Sequence, residues 1–171
     1  AGRGDAGEFF ALLNGIVGLG IVLGSLFVSI VSRRGVELGL VPLGALGIAV
    51  SCLGAALTGS ASVYYFWVCS LGFFAGMFLV PLNAFIQDTA LPEHRGRITS
   101  AVNLLNAIAG MLAIGFVKLL RDAGLNSSWQ FGILALLTIG AGIYILRLMP
   151  RHFLRFIVLG LLRMIYRVTP L

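Results

Sequence analysis

Apolar and polar positions alternate along this chain on a long scale: five extended apolar runs are separated by short polar or charged breaks. The runs cover residues 8–31, 38–57, 63–86, 98–117 and 129–146. Each is about 18–24 residues long and free of internal charge, enough for a helix to cross a hydrocarbon core of about 30 Å. At about 100° per residue, the polar and small positions of three runs gather into stripes about 60° wide. Asn14, Gly18, Ser25 and Ser29 form the stripe of the first run. Cys69, Gly72, Gly76, Asn83 and Gln87 form that of the third, and Thr99, Asn103, Asn106 and Gly110 that of the fourth. Runs two and five carry no amide side chain in mid-run and are bland by comparison.

Further features locate packing faces and bends. Gly20 and Gly24 lie off the first run's polar stripe at small-xxx-small spacing, which lets a neighbouring helix approach closely. Tyr64, Tyr65 and Trp67 open the third run as an interfacial aromatic belt. Pro81, inside that run, removes one backbone hydrogen bond and predicts a bend.

The breaks are expected as loops: a Gly-rich lead-in at residues 1–7, Ser32 to Glu37, Gly59 to Ser62, Asp88 to Arg97, and a stretch holding Lys118, Arg121, Asp122 and Asn126. After Met149-Pro150 the pattern changes in kind. Arg151, Arg155, Arg163 and Arg167 spread over about 160° of a wheel whose remainder is apolar. Four arginines are too costly inside a span, so 150–171 is expected as an amphipathic helix lying on the membrane surface, and 1–149 as the membrane bundle.

Composition agrees with the pattern. Hydrophobic residues make up 59% of the 171 and charged residues 11%, against about 25% charged in a soluble domain. The fold class expected is an all-α integral membrane protein. The net charge of +6 would be compatible with nucleic-acid binding, but the cations sit at segment ends and in the tail, without interleaved aromatics. They follow topology instead. If the runs alternate in direction, nine cations (Arg33, Arg34, Arg95, Arg97, Arg147, Arg151, Arg155, Arg163 and Arg167) share one side and three (Arg3, Lys118 and Arg121) the other. The positive-inside rule makes the first side cytoplasmic and puts the N-terminus outside. A chain that begins outside, with Ala1 and no signal sequence, reads as a piece of a longer protein.

Candidate chemistry is sparse. Cys52 and Cys69 lie inside apolar runs and read as small buried thiols. His94 and His152 have no carboxylate or Cys at ligand spacing, so no metal site or cofactor is expected. Gly18, Gly20 and Gly24 miss a dinucleotide loop by one residue, and no nucleophile elbow, Walker loop or carboxylate pair occurs, so no catalytic residue is assigned. What remains is the amides. Each could simply bond between helices, at about 0.6 kcal/mol apiece. Their restriction to runs one, three and four favours a wet pathway lined by those three helices, with runs two and five outside. The pathway residues expected are Asn14, Ser25, Asn83, Gln87, Asn103 and Asn106.

This order of runs and breaks resembles the C-terminal half of a major facilitator superfamily transporter, entered after its first helix. Ser32-Arg33-Arg34-Gly35-Val36-Glu37 stands where the family has a basic turn of the form Asp-Arg-x-Gly-Arg-Arg, keeping Arg33 and Gly35. Leu91 to Arg97 looks like the loop between helices ten and eleven. The resemblance implies that the five runs are helices eight to twelve. It implies gating roles for Arg33, Arg34, Gly35, Arg95, Gly96 and Arg97, and a missing N-terminal half as partner. The tail, Pro150-Arg151-His152-Phe153-Leu154-Arg155 onward to Pro170-Leu171, resembles the linker between a lysophospholipid transporter domain and an acyltransferase in bacterial fusion proteins. That implies inward flipping of lysophospholipids for re-acylation at a bacterial inner membrane, with an acyltransferase following the chain. The acyltransferase's own His-x-x-x-x-Asp motif is not met at His94 or His152. Two alternatives stand: a transporter of another small solute such as a drug or sugar, and a non-transporting anchor for a fused enzyme.

Overall fold

The computed structural model describes residues 3–32 and 39–148. Five α-helices occupy them: α1 (Arg3–Val31), α2 (Leu40–Leu57), α3 (Ala61–Thr89), α4 (Arg95–Asp122) and α5 (Ser127–Leu148), with a 3-10 turn at Pro92–His94 before α4. All five have spans long and apolar enough to cross a membrane. The basic turn with Arg33, Arg34 and Gly35, and the tail with Arg151, Arg155, Arg163 and Arg167, lie outside the described residues.

The helices outrun their apolar cores. α1 begins at Arg3, so the expected lead-in is largely helical. The expected loop from Asp88 to Arg97 shrinks to an extended pair, Ala90 and Leu91 (ψ 131° and 136°), before the 3-10 turn. Pro92 is the physical reason, because its ring disfavours helical geometry in the residue before it. Likewise Lys118, Arg121 and Asp122 belong to α4 rather than to a loop. That helix ends in a Schellman motif: Gly124 N–H donates to the Arg121 carbonyl at 3.0 Å and Leu125 N–H to the Leu120 carbonyl at 3.1 Å. Gly124 takes φ +81°, which a side chain would disfavour.

In a bilayer, apolar surface gains little by leaving lipid for protein, so helices associate through close van der Waals fit, which small residues permit. The seams follow this rule. α1 and α3 run parallel, backbone against backbone. A Cβ at Gly20 would collide with the Cys69 carbonyl, one at Gly24 with the Phe73 carbonyl, and one at Gly72 with the Val17 carbonyl. The close approach expected at Gly20 and Gly24 is therefore made, and α3 is the neighbour. α2 and α3 pack antiparallel by a different device. The rings of Trp67 and Phe74 of α3 fill the spaces left by Gly54 and Gly47 of α2, and the Phe78 backbone and Cβ lie against Gly44. Val28, Leu40 and Met77 form a buried cluster where α1, α2 and α3 meet. α5 closes onto the other side of α2, where Gly142 faces Ala45, and Tyr64 stacks edge-on with Phe131 at 6.0 Å.

The packed row is therefore α1, α3, α2, α5. α2 is the most enclosed helix, with ten buried residues. This corrects the expectation that run two lies on the outside. Its lack of amides accompanies a dense set of Gly, Ala, Ser and Cys, and small size is what admits neighbours on both sides. α4 is the converse: none of its residues is buried, and it stands beside the row, joined through its two turns.

Candidate functional site

Between the C-terminal turns of α3 and the N-terminal turns of α4 lies a cavity of about 210 Å³. α3 contributes Asn83, Ile86 and Gln87; α4 contributes Thr99, Val102, Asn103 and Asn106. The spacing explains the convergence. Asn83 and Gln87 are four apart, and Thr99, Asn103 and Asn106 are spaced by four and three, so each set occupies one helix face. The Ala90–Leu91 break and the 3-10 turn fold α4 back so that the two faces border one cavity. At about 1.5 Å per residue, Thr99 lies about 6 Å and Asn106 about 16 Å along α4 from its start. The cavity lining thus extends from near the α3–α4 turn to near mid-helix.

Hydrogen bonding separates these side chains from the other polar groups in the spans. Asn14 Nδ2 donates to the Phe10 carbonyl at 2.9 Å, Ser25 Oγ to that of Ile21 at 2.7 Å, Ser51 Oγ to that of Gly47 at 2.8 Å, and Thr138 Oγ1 to that of Leu134 at 2.8 Å. Each is satisfied one turn back on its own helix. Among the described residues, the side chains of Asn83, Gln87, Thr99, Asn103 and Asn106 make no hydrogen bond, either with each other or with backbone. All five side chains are exposed, so their donors and acceptors are open to whatever enters the cavity. This cluster is poised for water or a bound polar group.

Of the six expected pathway residues, the cavity unites Asn83, Gln87, Asn103 and Asn106. Asn14 and Ser25 lie elsewhere. Asn14 is exposed on α1, and Ser25 sits in the α1–α3 seam, where its Oγ would be 3.2 Å from a Cβ on Gly76. The third run's stripe divides in the same way. Gly72 and Gly76 face α1 in the seam, while Asn83 and Gln87 face α4. A wheel places residues by angle alone and cannot say which neighbour occupies that angle at a given depth. Thr99, Ile86 and Val102 were not among the expected site residues. Thr99 was legible from its place four residues before Asn103; the two apolar residues carried no signal.

At the α3–α4 turn, Arg95 Nε donates to the Ala90 carbonyl at 3.3 Å, tying the first residue of α4 to the end of α3. Arg95, Gly96 and Arg97 are exposed and form the first turn of α4 rather than a free loop. A larger hollow of about 680 Å³ runs beside Met111, Leu112, Phe116 and Leu119, but its described lining is all from α4. It is a helix surface on which no second element converges.

Fold and site together define a multi-pass membrane protein with an uncharged polar cavity between two of its spans. The profile of the Major Facilitator Superfamily matches residues 7–114, and the chain belongs to that family of membrane transporters. The match takes in α1 to α3 and most of α4, and so the whole cavity. No curated protein and no solved structure matches the chain.

Proposed function

We propose that the chain is part of a facilitator that moves its substrate by alternating access, with the α3–α4 cavity as a section of the substrate path. The observation that carries this reading is the convergence of four unpaired amides, two from each of two spans, inside a chain of this family. Such groups have no role toward lipid. The proposed substrate is a lysophospholipid, flipped inward for re-acylation. Its support is the tail's resemblance to the transporter–acyltransferase linker, together with a cavity lining that mixes amides and a hydroxyl with Ile86 and Val102. On this reading the five helices are the eighth to twelfth of a transporter in a bacterial inner membrane. The α3–α4 turn and the tail are cytoplasmic, and an N-terminal half and an acyltransferase complete the protein.

The test is uptake of labelled lysophospholipid by proteoliposomes containing the full-length transporter. Saturable uptake, reduced about tenfold by Asn83→Leu or Asn103→Leu, supports the reading. Uptake of a sugar or drug instead of the lipid replaces the substrate. Retention of a fused enzyme's activity with no transport of any solute would make the bundle an anchor.

A further inference from the structure

The chemistry of the cavity lining says which part of a substrate it accepts. We infer that the α3–α4 cavity binds an uncharged, oxygen-rich group, such as a glycerol backbone or a sugar, and holds charged groups outside. The inference deepens the transport reading and rests on it.

Every polar group in the lining is a primary amide or a hydroxyl: Asn83, Gln87, Thr99, Asn103 and Asn106. Each amide offers two N–H donors and a carbonyl acceptor, and Thr99 offers both functions in one atom. Hydroxyls, ethers and esters need such a mixed set. A phosphate or carboxylate needs donors backed by positive charge, and an ammonium needs acceptors backed by negative charge. Neither is present, since residues 98–117 contain no titratable side chain and neither does α3 before Asp88, apart from its tyrosines and Cys69 far from the cavity. The charged residues nearest the lining in sequence are outside it: Asp88, which follows Gln87, Arg97, and Arg95, one turn before Thr99 on the same face. A volume of about 210 Å³ suits a group of glycerol or hexose size, well short of a whole lipid. Because the amides are exposed and make no hydrogen bond among the described residues, a ligand oxygen would bond them without breaking bonds inside the protein.

The experiment measures binding to the full-length transporter in detergent. The probes are a 1-acyl lysophosphatidylethanolamine, its analogue with hydrogen in place of the free glycerol hydroxyl, and a free hexose. If the oxygen-rich group is the lipid's glycerol, the deoxy analogue binds roughly tenfold more weakly than its parent. In the double variant Asn103→Leu/Asn106→Leu the two lipids then bind alike. If the source is a free sugar, the hexose binds and the lipid does not. That outcome keeps the inference and removes the lysophospholipid. Equal binding of the two lipids to the unaltered protein, without hexose binding, overturns the inference while leaving lysophospholipid transport intact. No binding by any of the three also overturns it. Thermal melting of the double variant, expected within a few degrees of the parent, separates lost recognition from lost folding.

Discussion

Asn14 and Asn103 are the same residue type in the same kind of helix, and the structure gives them different work. Asn14 spends a donor on the Phe10 carbonyl, whereas Asn103 faces the cavity with its amide unpaired. Asn14→Leu should therefore leave solute uptake within about twofold of the parent, and Asn103→Leu should reduce it about tenfold. Equal losses in a proteoliposome assay would remove the distinction. Glycines divide in the same manner. Nothing lies within 4 Å of a Cβ added at Gly18, but one at Gly24 meets the backbone of α3. Gly24→Ala should cost about 1–3 kcal/mol through overpacking, and Gly18→Ala should be neutral or slightly stabilising, as helix propensity dictates. Melting temperatures of the two variants in detergent decide the matter. Sequence spacing marked Gly20 and Gly24 as a packing pair. It assigned Gly72 and Gly76 to the polar stripe, because spacing does not show which face a partner takes.

At the scale of elements, apolar length alone made the five helices legible, since a span must be long and must satisfy its own backbone hydrogen bonds. Helix ends were less legible, because charged residues such as Asp88, Arg97 and Lys118 can continue a helix beyond the membrane core. Among the described residues, Pro92 and Gly124 each mark a stop by their own backbone chemistry. The break at Ala90–Leu91 aligns the two amide faces, so its geometry should matter beyond its few residues. Cysteines introduced at Gln87 and Thr99, both on the cavity lining, are expected to be joined by a short bis-thiol reagent. Adding Pro92→Ala, which frees Leu91 for helical geometry, is expected to lower that yield. An unchanged yield would show that the turn is held by other contacts. α2 and α4 carry the opposite lesson. α2 was expected outside and is enclosed; α4 was expected to line a pathway with α1 and α3, and its amides line a cavity with α3 alone. Polarity predicted exposure to a pathway, but side-chain volume decided which helices could pack closely.

For the whole molecule, alternation of short turns brings the start of α4 and the end of α5 to one end of the bundle, with Arg95, Arg97 and Arg147 among its charges. Lys118 and Arg121 lie at the other end. Single cysteines at Glu93 and Ser60 should react with an impermeant maleimide from opposite faces of the membrane, Glu93 from the cytoplasmic face under the positive-inside rule. Labelling of both from one face would refute the alternation. The sequence by itself determined the membrane class, the five spans, their alternation and the amides on which a pathway could be built. Those follow from the cost of charge and unpaired backbone in hydrocarbon, which acts on every residue locally. The tertiary structure decided which helices touch and which amides meet. It placed Asn83 and Gln87 on the same cavity as Asn103 and Asn106, and it left Asn14 and Ser25 elsewhere on α1. That choice depends on the fit of glycines against backbone and aromatics, a pairwise property of surfaces that no single run of sequence contains.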